Sequence, residues 1–345
     1  MFAELTPEQA RQIVDVEQVF NTLREAMQEL NGRYAGSMFW VTSRNKRYLR
    51  RTIKKVATSL GVESQDTHAI HDAFVAGKDR FLKVRDDCRV RLDGMARVNR
   101  ALRLGRVPNE AARLLRRFDE AGILGRQIKV VGTNALFAYE AAAAVQLQSD
   151  VMATGDLDLL FDARRRLRLL GDEGPQSLMN MLQKADRSFR ARPSNTYSAA
   201  NSRGYMVDLI TPVGKHPMQG DADRKPKSIS NFGALDEGGD DLVAVGINGL
   251  EWLENAPTLT QIAIADDGKP VRIVTIDPRV FAAHKLWLAD RADRERIKRG
   301  RDRLQARAAY IIARDYLNMS FDDHEALAAC PSQMISALDD AFGNH

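Results

Sequence analysis

Apolar residues recur at helical spacing in several long stretches of the chain. Such a repeat over residues 6–31 predicts one amphipathic helix. Residues 64–104 predict either one long helix or two helices that are broken near Gly94. A further helix is predicted from Pro108 to about Ala121, and most of the last 70 residues have a helical pattern that begins at Pro278.

Shorter apolar runs, some with alternating polar positions, predict β-strands between these helices. Two of them, Ser37–Thr42 and Tyr48–Ile53, flank a polar turn and predict a hairpin. Further strands are predicted at 128–131, 156–161, 203–210, 242–247, 262–265 and 271–276, and a helix at 176–189. The mixture predicts an α/β (α+β) protein with a mixed sheet.

Breaks in the pattern divide the chain into three predicted parts. Gly105–Pro108 ends the first, an N-terminal helical domain with a β-hairpin over residues 1–107. An α/β core at 108–250 and a mostly helical C-terminal part at 251–345 follow. Within the core, residues 162–170 are basic, 171–175 predict a turn, and the polar stretch 214–241 predicts a lid loop.

Composition narrows the class of protein only a little. Lysines and arginines number 51 against 46 acids, a modest excess that is compatible with nucleotides or nucleic acid as partners. The longest apolar runs are too short to cross a bilayer, and the first residues carry acids where a signal peptide is basic. Cys88 and Cys330 lie far apart, which predicts reduced thiols and a cytoplasmic location. Phosphate-loop, dinucleotide-binding and serine-hydrolase motifs are absent.

Candidate chemistry concentrates in aspartates within two predicted strands. Asp156 and Asp158 are two residues apart in an apolar run, so their side chains point to the same face. Neighbouring carboxylates repel each other unless a cation lies between them, and Mg²⁺ prefers oxygen ligands. Asp208 is a lone acid in another apolar strand and becomes a third candidate ligand. These residues suggest a metal-dependent site that acts on a nucleotide phosphate.

With these residues in this order, the chain resembles the polymerase-β-like nucleotidyltransferase superfamily. Gly132-Thr133 matches its glycine turn, Asp156 and Asp158 its acidic pair, and Asp208 its third acid. A segment Arg47-Tyr48-Leu49-Arg50-Arg51 followed by Ser59-Leu60-Gly61 is similar to a group of bacterial stand-alone members. The resemblance implies a nucleotidyltransferase fold and Mg²⁺-dependent transfer of a nucleoside monophosphate from an NTP such as ATP to an acceptor hydroxyl, with release of pyrophosphate. Mn²⁺ is an alternative metal, and the acceptor is a protein, a tRNA or a small molecule.

The same resemblance implies a role for each site residue. Asp156 and Asp158 would hold both metals, and Asp208 would hold the one that activates the acceptor and would serve as general base. The turn of Gly132, Thr133 and Asn134 would contact phosphate at a helix N-terminus. For the triphosphate, the resemblance adds Lys285 on the C-terminal helices, which would complete the nucleotide pocket. Arg203, five residues before Asp208, is a further candidate for a contact with the γ-phosphate or the acceptor. Lys298 and Asp302 are similar to a Lys-x-x-x-Asp pattern of toxin-type members, although a solvated helix face is the stronger interpretation of Lys298.

One departure from the superfamily is the long interval between Gly132 and Asp156. A helix from Ala135 to Val145 followed by a loop through Thr154 would fill it, and an inserted strand is the alternative. Two other functions stay open: a nucleic-acid-binding module that uses the basic, aromatic hairpin around Arg44–Arg51, and a homodimer formed through the helix at 64–104. His68 and His71 are one helical turn apart, but without a third ligand we expect a surface or packing role.

Overall fold

The computed structural model describes residues 2–152, 154–162, 177–192, 195–213, 242, 244–247 and 249–343. The predicted basic stretch beyond residue 162, the turn at 171–175 and the lid loop at 214–241 lie outside these residues. In chain order the elements are β1 (Phe2–Glu4), α1 (Pro7–Asn31), β2 (Ser37–Ser43), β3 (Lys46–Ile53), β4 (Val56–Val62), α2 (Gln65–Ala101), α3 (Asn109–Glu120), β5 (Ile128–Val131), a 3₁₀ turn (Gly132–Ala135), α4 (Leu136–Ala143), β6 (Val145–Leu147), α5 (Ser149–Met152), β7 (Asp156–Phe161), α6 (Leu178–Ala185), β8 (Arg190–Arg192), β9 (Asn195–Ala200), β10 (Met206–Pro212), β11 (Val245–Ile247), α7 (Glu251–Asn255), β12 (Thr258–Ile264), β13 (Pro270–Ile276), α8 (Pro278–Asp290), α9 (Arg296–Ile311), a π turn (Ile312–Tyr316) and α10 (Ser332–Phe342).

The chain divides into two compact units. The smaller unit comprises Pro7–Leu104 and Asp267–Pro270, and the larger unit comprises Met1–Thr6, Gly105–Asp266 and Val271–His345. Among the described residues, no helix is long and apolar enough to cross a membrane.

The smaller unit contains the two long helices and a three-stranded antiparallel sheet in the order β2-β3-β4. Helix α2 starts at a capping box between Ser64 and Thr67 and continues past Gly94 without a break, which settles the choice between one helix and two. The predicted hairpin is confirmed, but β4 was not predicted. Its residues are mostly exposed, so the sequence lacks the alternation that marks a half-buried strand.

The larger unit is built around a mixed sheet whose described strands have the order β5-β7-β10-β9-β8, with β11 beside the end of β10. Strands β7 and β10 are parallel neighbours, and β5 and β9 flank them in antiparallel orientation. Their apolar positions Leu157, Leu159, Val207 and Leu209 are almost completely buried in the hydrophobic core. Because side chains alternate along a strand, the aspartates between them lie on the opposite face.

The long interval between Gly132 and Asp156 contains an inserted strand, as one of the two alternatives predicted. Helix α4 ends at Ala144 in a left-handed conformation, and β6 follows directly. Strand β6 pairs antiparallel with β1 at the start of the chain, where no strand was predicted. The insertion therefore adds a two-stranded sheet to the unit and leaves the strand–turn–helix order around Gly132 intact.

The helix predicted after Pro278 is confirmed as α8, and the side chain of Asp277 caps it by accepting a hydrogen bond from the Arg279 amide. Strands β8 and β9 were not predicted, since they are short and polar residues dominate them. The strand predicted at 203–210 begins later, at Met206, because residues 201–204 form a turn that is stabilised by the side chain of Asn201.

Candidate active site

The three predicted acids lie on one face of the central sheet. Asp156 and Asp158 alternate with buried leucines in β7, and Asp208 lies between the buried Val207 and Leu209 in β10. In the parallel β7–β10 pair, Asp208 is directly opposite Asp158, and Met206 is opposite Asp156. Neighbouring strands are about 4.8 Å apart. The fold thus brings together residues that are 50 positions apart in the sequence.

The turn after β5 closes over one of these acids. Gly132 has a φ of +63°, and a Cβ atom built on it would lie 2.0 Å from Oδ2 of Asp158. No side chain larger than hydrogen therefore fits here while Asp158 keeps its position. The glycine predicted to let a phosphate approach the backbone thus also accommodates a carboxylate.

The pKa of Asp158 is strongly perturbed by its surroundings. Burial raises the pKa of Asp158 to about 7, the negative charges of Asp156 and Asp208 add to the rise, and Lys285 opposes it. Each effect has a direct physical cause, because a buried carboxylate loses hydration and repels nearby anions. A site in which several carboxylates face one lysine favours an added cation.

A row of polar groups crosses the sheet at the level of Asp158. Val131, Asp158, Asp208 and Ser198 are successive partners across β5, β7, β10 and β9. Oδ1 of Asp208 and Oγ of Ser198 are buried and have no hydrogen-bond partner among the described residues. Buried polar atoms are nearly always paired in folded proteins. These two are therefore available to a ligand.

Lys285 and Asp302 form a buried ion pair next to the acids. The Lys285 ammonium is 2.8 Å from Oδ1 of Asp302, and Arg294 approaches the other oxygen at 2.7 Å. Burial lowers the pKa of Lys285, against the opposing charges of Asp302 and Asp158. For Asp302, burial acts to raise the pKa, but Lys285 and Arg294 outweigh it and lower the value. Lys285 thus lies in a buried ion pair with Asp302, within electrostatic reach of Asp158.

Thr133 and Asn134 are buried and already have partners. The Asn134 amide donates to the backbone oxygen of Asp156 at 2.6 Å, which fixes the start of β7 relative to the turn. Gln305 donates to the Thr133 hydroxyl at 3.1 Å and to the Val151 oxygen at 2.9 Å. Oδ1 of Asn134 has no hydrogen-bond partner among the described residues. These contacts hold the turn in place.

Two other predicted residues lie in ion pairs. Arg203 is 2.9 Å from Glu110 and 3.7 Å from Asp186, on an exposed edge of the larger unit. Lys298 is exposed and pairs with Glu295 three residues earlier, as expected for a solvated helix face. Asp302 has Lys285 as its partner, so the Lys-x-x-x-Asp spacing does not describe the contact that forms.

The two histidines of α2 have structural partners. His68 stacks on Trp40 with ring centres 4.6 Å apart and contacts Glu63, while His71 contacts Asp72. These contacts agree with the expected surface and packing role.

Sequence reasoning missed several neighbours of the acids. Tyr205 precedes β10, and its hydroxyl is buried without a hydrogen-bond partner among the described residues. Burial raises the pKa of Tyr205, and the carboxylates of Asp156, Glu110 and Asp158 raise it further. Ser198 and Gln305 were missed as well, because a single serine or glutamine carries no recognisable spacing. Only the pairing of the strands and helices reveals them.

The side chains on this face of the sheet offer the kind of ligand atom that a divalent metal requires. Carboxylate oxygens dominate the face, and hard oxygen ligands suit Mg²⁺ or Mn²⁺. In the part of the chain that the structure describes, no group of three or more His, Cys, Asp or Glu side chains forms a preformed metal cluster. The residues fit such an ion in the chemistry of their oxygens and in their place on one face of the sheet.

A comparison with protein families places the chain in a class of enzymes. Residues 109–329, more than half of the chain, match the family described as Nucleotidyltransferase. The chain belongs to this family and is by that membership an enzyme, a nucleotidyltransferase with a nucleotide substrate. No curated protein and no solved structure is similar enough to count as a match. The matched segment contains the Gly132 turn, Lys285 and the three candidate acids Asp156, Asp158 and Asp208.

Proposed function

We propose that the chain is a polymerase-β-like nucleotidyltransferase of the bacterial stand-alone type, which transfers a nucleoside monophosphate from an NTP to an acceptor hydroxyl. The observation that carries this proposal is the pairing of Asp158 with Asp208 on parallel strands, with Asp156 two residues away on the same face. Oδ1 of Asp208 is buried without a partner there among the described residues.

In the proposed reaction, the acceptor oxygen forms a bond to the α-phosphorus, and the bond from that phosphorus to the β-bridging oxygen breaks. Pyrophosphate leaves, and Asp208 accepts the acceptor's proton as general base. Asp156 and Asp158 would hold two Mg²⁺ or Mn²⁺ ions, and Asp208 would hold one of them. When bound, such ions lower the pKa of an acceptor hydroxyl and offset charge on the entering and leaving oxygens.

The remaining site residues would bind the triphosphate. The Gly132 turn offers backbone N–H groups at the start of α4 to phosphate oxygens. Lys285 would exchange part of its contact with Asp302 for a phosphate oxygen, and Arg294 would keep Asp302 paired. We leave Arg203 as a candidate for the acceptor or the γ-phosphate, in competition with Glu110.

The acceptor and the base of the NTP stay open. A protein side chain, a tRNA end and a small molecule all present the hydroxyl that the reaction needs. Cys88 and Cys330 are both free thiols, which favours a reducing cytoplasm as the setting of the reaction.

The test uses the full chain with Mg²⁺ or Mn²⁺ and each of the four α-labelled NTPs. Pyrophosphate release and label transfer are measured with the protein alone, with total tRNA, and with protein and metabolite extracts as acceptors. We expect Asp158→Asn and Asp208→Asn to abolish transfer with at least one NTP. The matched control is Asp340→Asn, which changes an exposed aspartate of α10. Transfer that survives both site variants would refute the site, and the absence of transfer under every condition would refute the reaction.

A further inference from the structure

The sheet of the smaller unit has an unusual concentration of positive charge. Between residues 37 and 62 there are seven lysines and arginines and no aspartate or glutamate. Over residues 7–104 the numbers are 19 basic and 12 acidic residues, an excess of 7 that is larger than the excess of 5 in the whole chain. The positive charge of the protein is therefore concentrated in this unit.

One face of this sheet uses its cations to stabilise the fold. Arg47 is 2.6 Å from Glu63 and lies over the ring of Trp40 at 5.2 Å. Arg51 donates to two backbone oxygens of the segment before β2 and lies over the ring of Phe74 at 5.1 Å. We call this the inner face, because its side chains contact α2. Both arginines of the inner face already contact other groups of the protein.

The other face, which we call the outer face, carries cations of a different kind. Lys46 and Arg50 alternate with Tyr48 along β3, and both are exposed without an acidic partner among the described residues. Phe39, directly across from Arg50, is 42% exposed, and Val62, directly across from Tyr48, is 45% exposed. Cationic and aromatic side chains thus follow each other on one open surface, about 7 Å apart along the strand.

The turns at the two ends of β3 add charge at some conformational cost. Arg44 and Asn45 in one turn, and Lys54 and Lys55 in the other, all have positive φ values between 48° and 68°. Such turns favour Asn, Asp or Gly, since a left-handed conformation costs other residues roughly 1–2 kcal/mol. Arg44, Lys54 and Lys55 are therefore not residues that these turn conformations favour. They extend the positive surface beyond both ends of the strand.

We propose that the outer face binds a single-stranded nucleic acid. Exposed aromatic rings stack on bases, and cations beside them contact the phosphates of the same strand. An acidic protein segment would pair with the cations but would leave Phe39 and Val62 without a matching partner. Duplex recognition by base edges uses a helix or a two-stranded ribbon that enters a groove, whereas the outer face belongs to a three-stranded sheet. This binding is separate from the transfer reaction proposed above.

The experiment measures fluorescence anisotropy of labelled 15-nucleotide oligo-U and oligo-dT with the full chain, between 50 and 200 mM salt. We expect Arg50→Gln to weaken binding about tenfold and to reduce the slope of log K against log salt by about 0.7, the value for one phosphate contact on a single strand. Phe39→Ala should weaken binding about 5- to 100-fold, in line with the loss of one stacked base. The matched control is Arg47→Gln, the same charge change three residues away on the inner face, with affinity expected within twofold of the parent.

Several results would overturn the proposal. One is no detectable binding of either oligonucleotide at 50 mM salt, and another is equal weakening by Arg50→Gln and Arg47→Gln, which would indicate only diffuse charge. A 15-base-pair duplex bound as tightly as the single strands would also refute it. So would a concentration-dependent dimer that Phe39→Ala dissociates, in the absence of nucleic-acid binding, since the face would then be a protein interface. Asp158→Asn should retain full binding, so failure of the transfer reaction is distinguished from failure of this surface.

Discussion

Replacement of Gly132 by alanine tests how closely the turn and the acids depend on each other. The added Cβ would lie 2.0 Å from Oδ2 and 3.0 Å from Cγ of Asp158, whereas ordinary contact begins at 3.4 Å. The carboxylate must therefore move by about 1.4 Å, or the turn must shift by a similar distance. A misplacement of about 1 Å costs on the order of 100-fold in rate when a group acts directly in catalysis. We expect the transfer activity of Gly132→Ala to fall at least that far.

Backbone strain makes a separate contribution that a control can remove. Alanine at a φ of +63° costs roughly 1–2 kcal/mol of folding free energy, whatever surrounds it. Gly122 has a φ of +71°, and a Cβ added there meets nothing within 4 Å. Gly122→Ala should therefore lose similar stability in thermal unfolding while keeping its transfer activity. The difference in activity between the two variants then measures the clash with Asp158 alone.

The assay compares rates of pyrophosphate release for the two variants and the parent at saturating NTP and metal. A Gly132→Ala protein that unfolds at the same temperature as Gly122→Ala and keeps more than a third of the parent rate would refute the reasoning. In that case either Asp158 has no direct part in the reaction, or the turn adjusts freely.

Three further substitutions address charged and titratable side chains of the C-terminal helices. Asp302→Asn leaves the Lys285 ammonium buried beside Arg294 without its carboxylate, so we expect the free energy of unfolding in denaturant to fall by about 3–5 kcal/mol; a loss below 1 kcal/mol would contradict this. Burial, with help from Lys285 and Arg294 and against Asp302, lowers the pKa of His284 to about 3. The unfolded histidine binds a proton below about pH 6.5, so the free energy of unfolding falls by about 2 kcal/mol between pH 6.5 and 5. His284→Gln should remove this part of the pH dependence of unfolding. Equal acid sensitivity of variant and parent would show that His284 is not buried as a neutral ring. Lys298→Ala should change stability by less than about 0.5 kcal/mol and leave transfer unchanged, because its ion pair is exposed; a large loss of activity would assign it a role at the site.

Local patterns in the sequence were enough to locate the acids. Alternation of apolar and acidic positions in β7 and β10 predicted that Asp156 and Asp158 share a face and that Asp208 lies in a similar strand. The same kind of pattern gave α1, α2 and α3 with ends within a few residues of those observed, and it gave the start of α8. Backbone preferences and face alternation are properties of neighbouring residues, and so a single chain segment reveals them.

Other features depend on segments that meet only in the folded chain. Strand β6 exists because residues 2–4 pair with it, and neither segment is long enough to predict a strand by itself. Asp302 was associated with Lys298 by spacing, but the crossing of α8 and α9 brings it to Lys285 instead. Likewise, the hairpin cations looked alike in sequence, and only the packing of one sheet face against α2 separates Arg47 and Arg51 from Lys46 and Arg50.

The sequence by itself determined which residues are candidates for the chemistry and which face of its own strand each one occupies. The tertiary structure alone decided the strand neighbours, and with them the alignment of Asp158 with Asp208 and the closure of Gly132 over Asp158. The physical reason is that side-chain alternation is set within about two residues, whereas register and ion pairing are set by burial of apolar surface between distant segments.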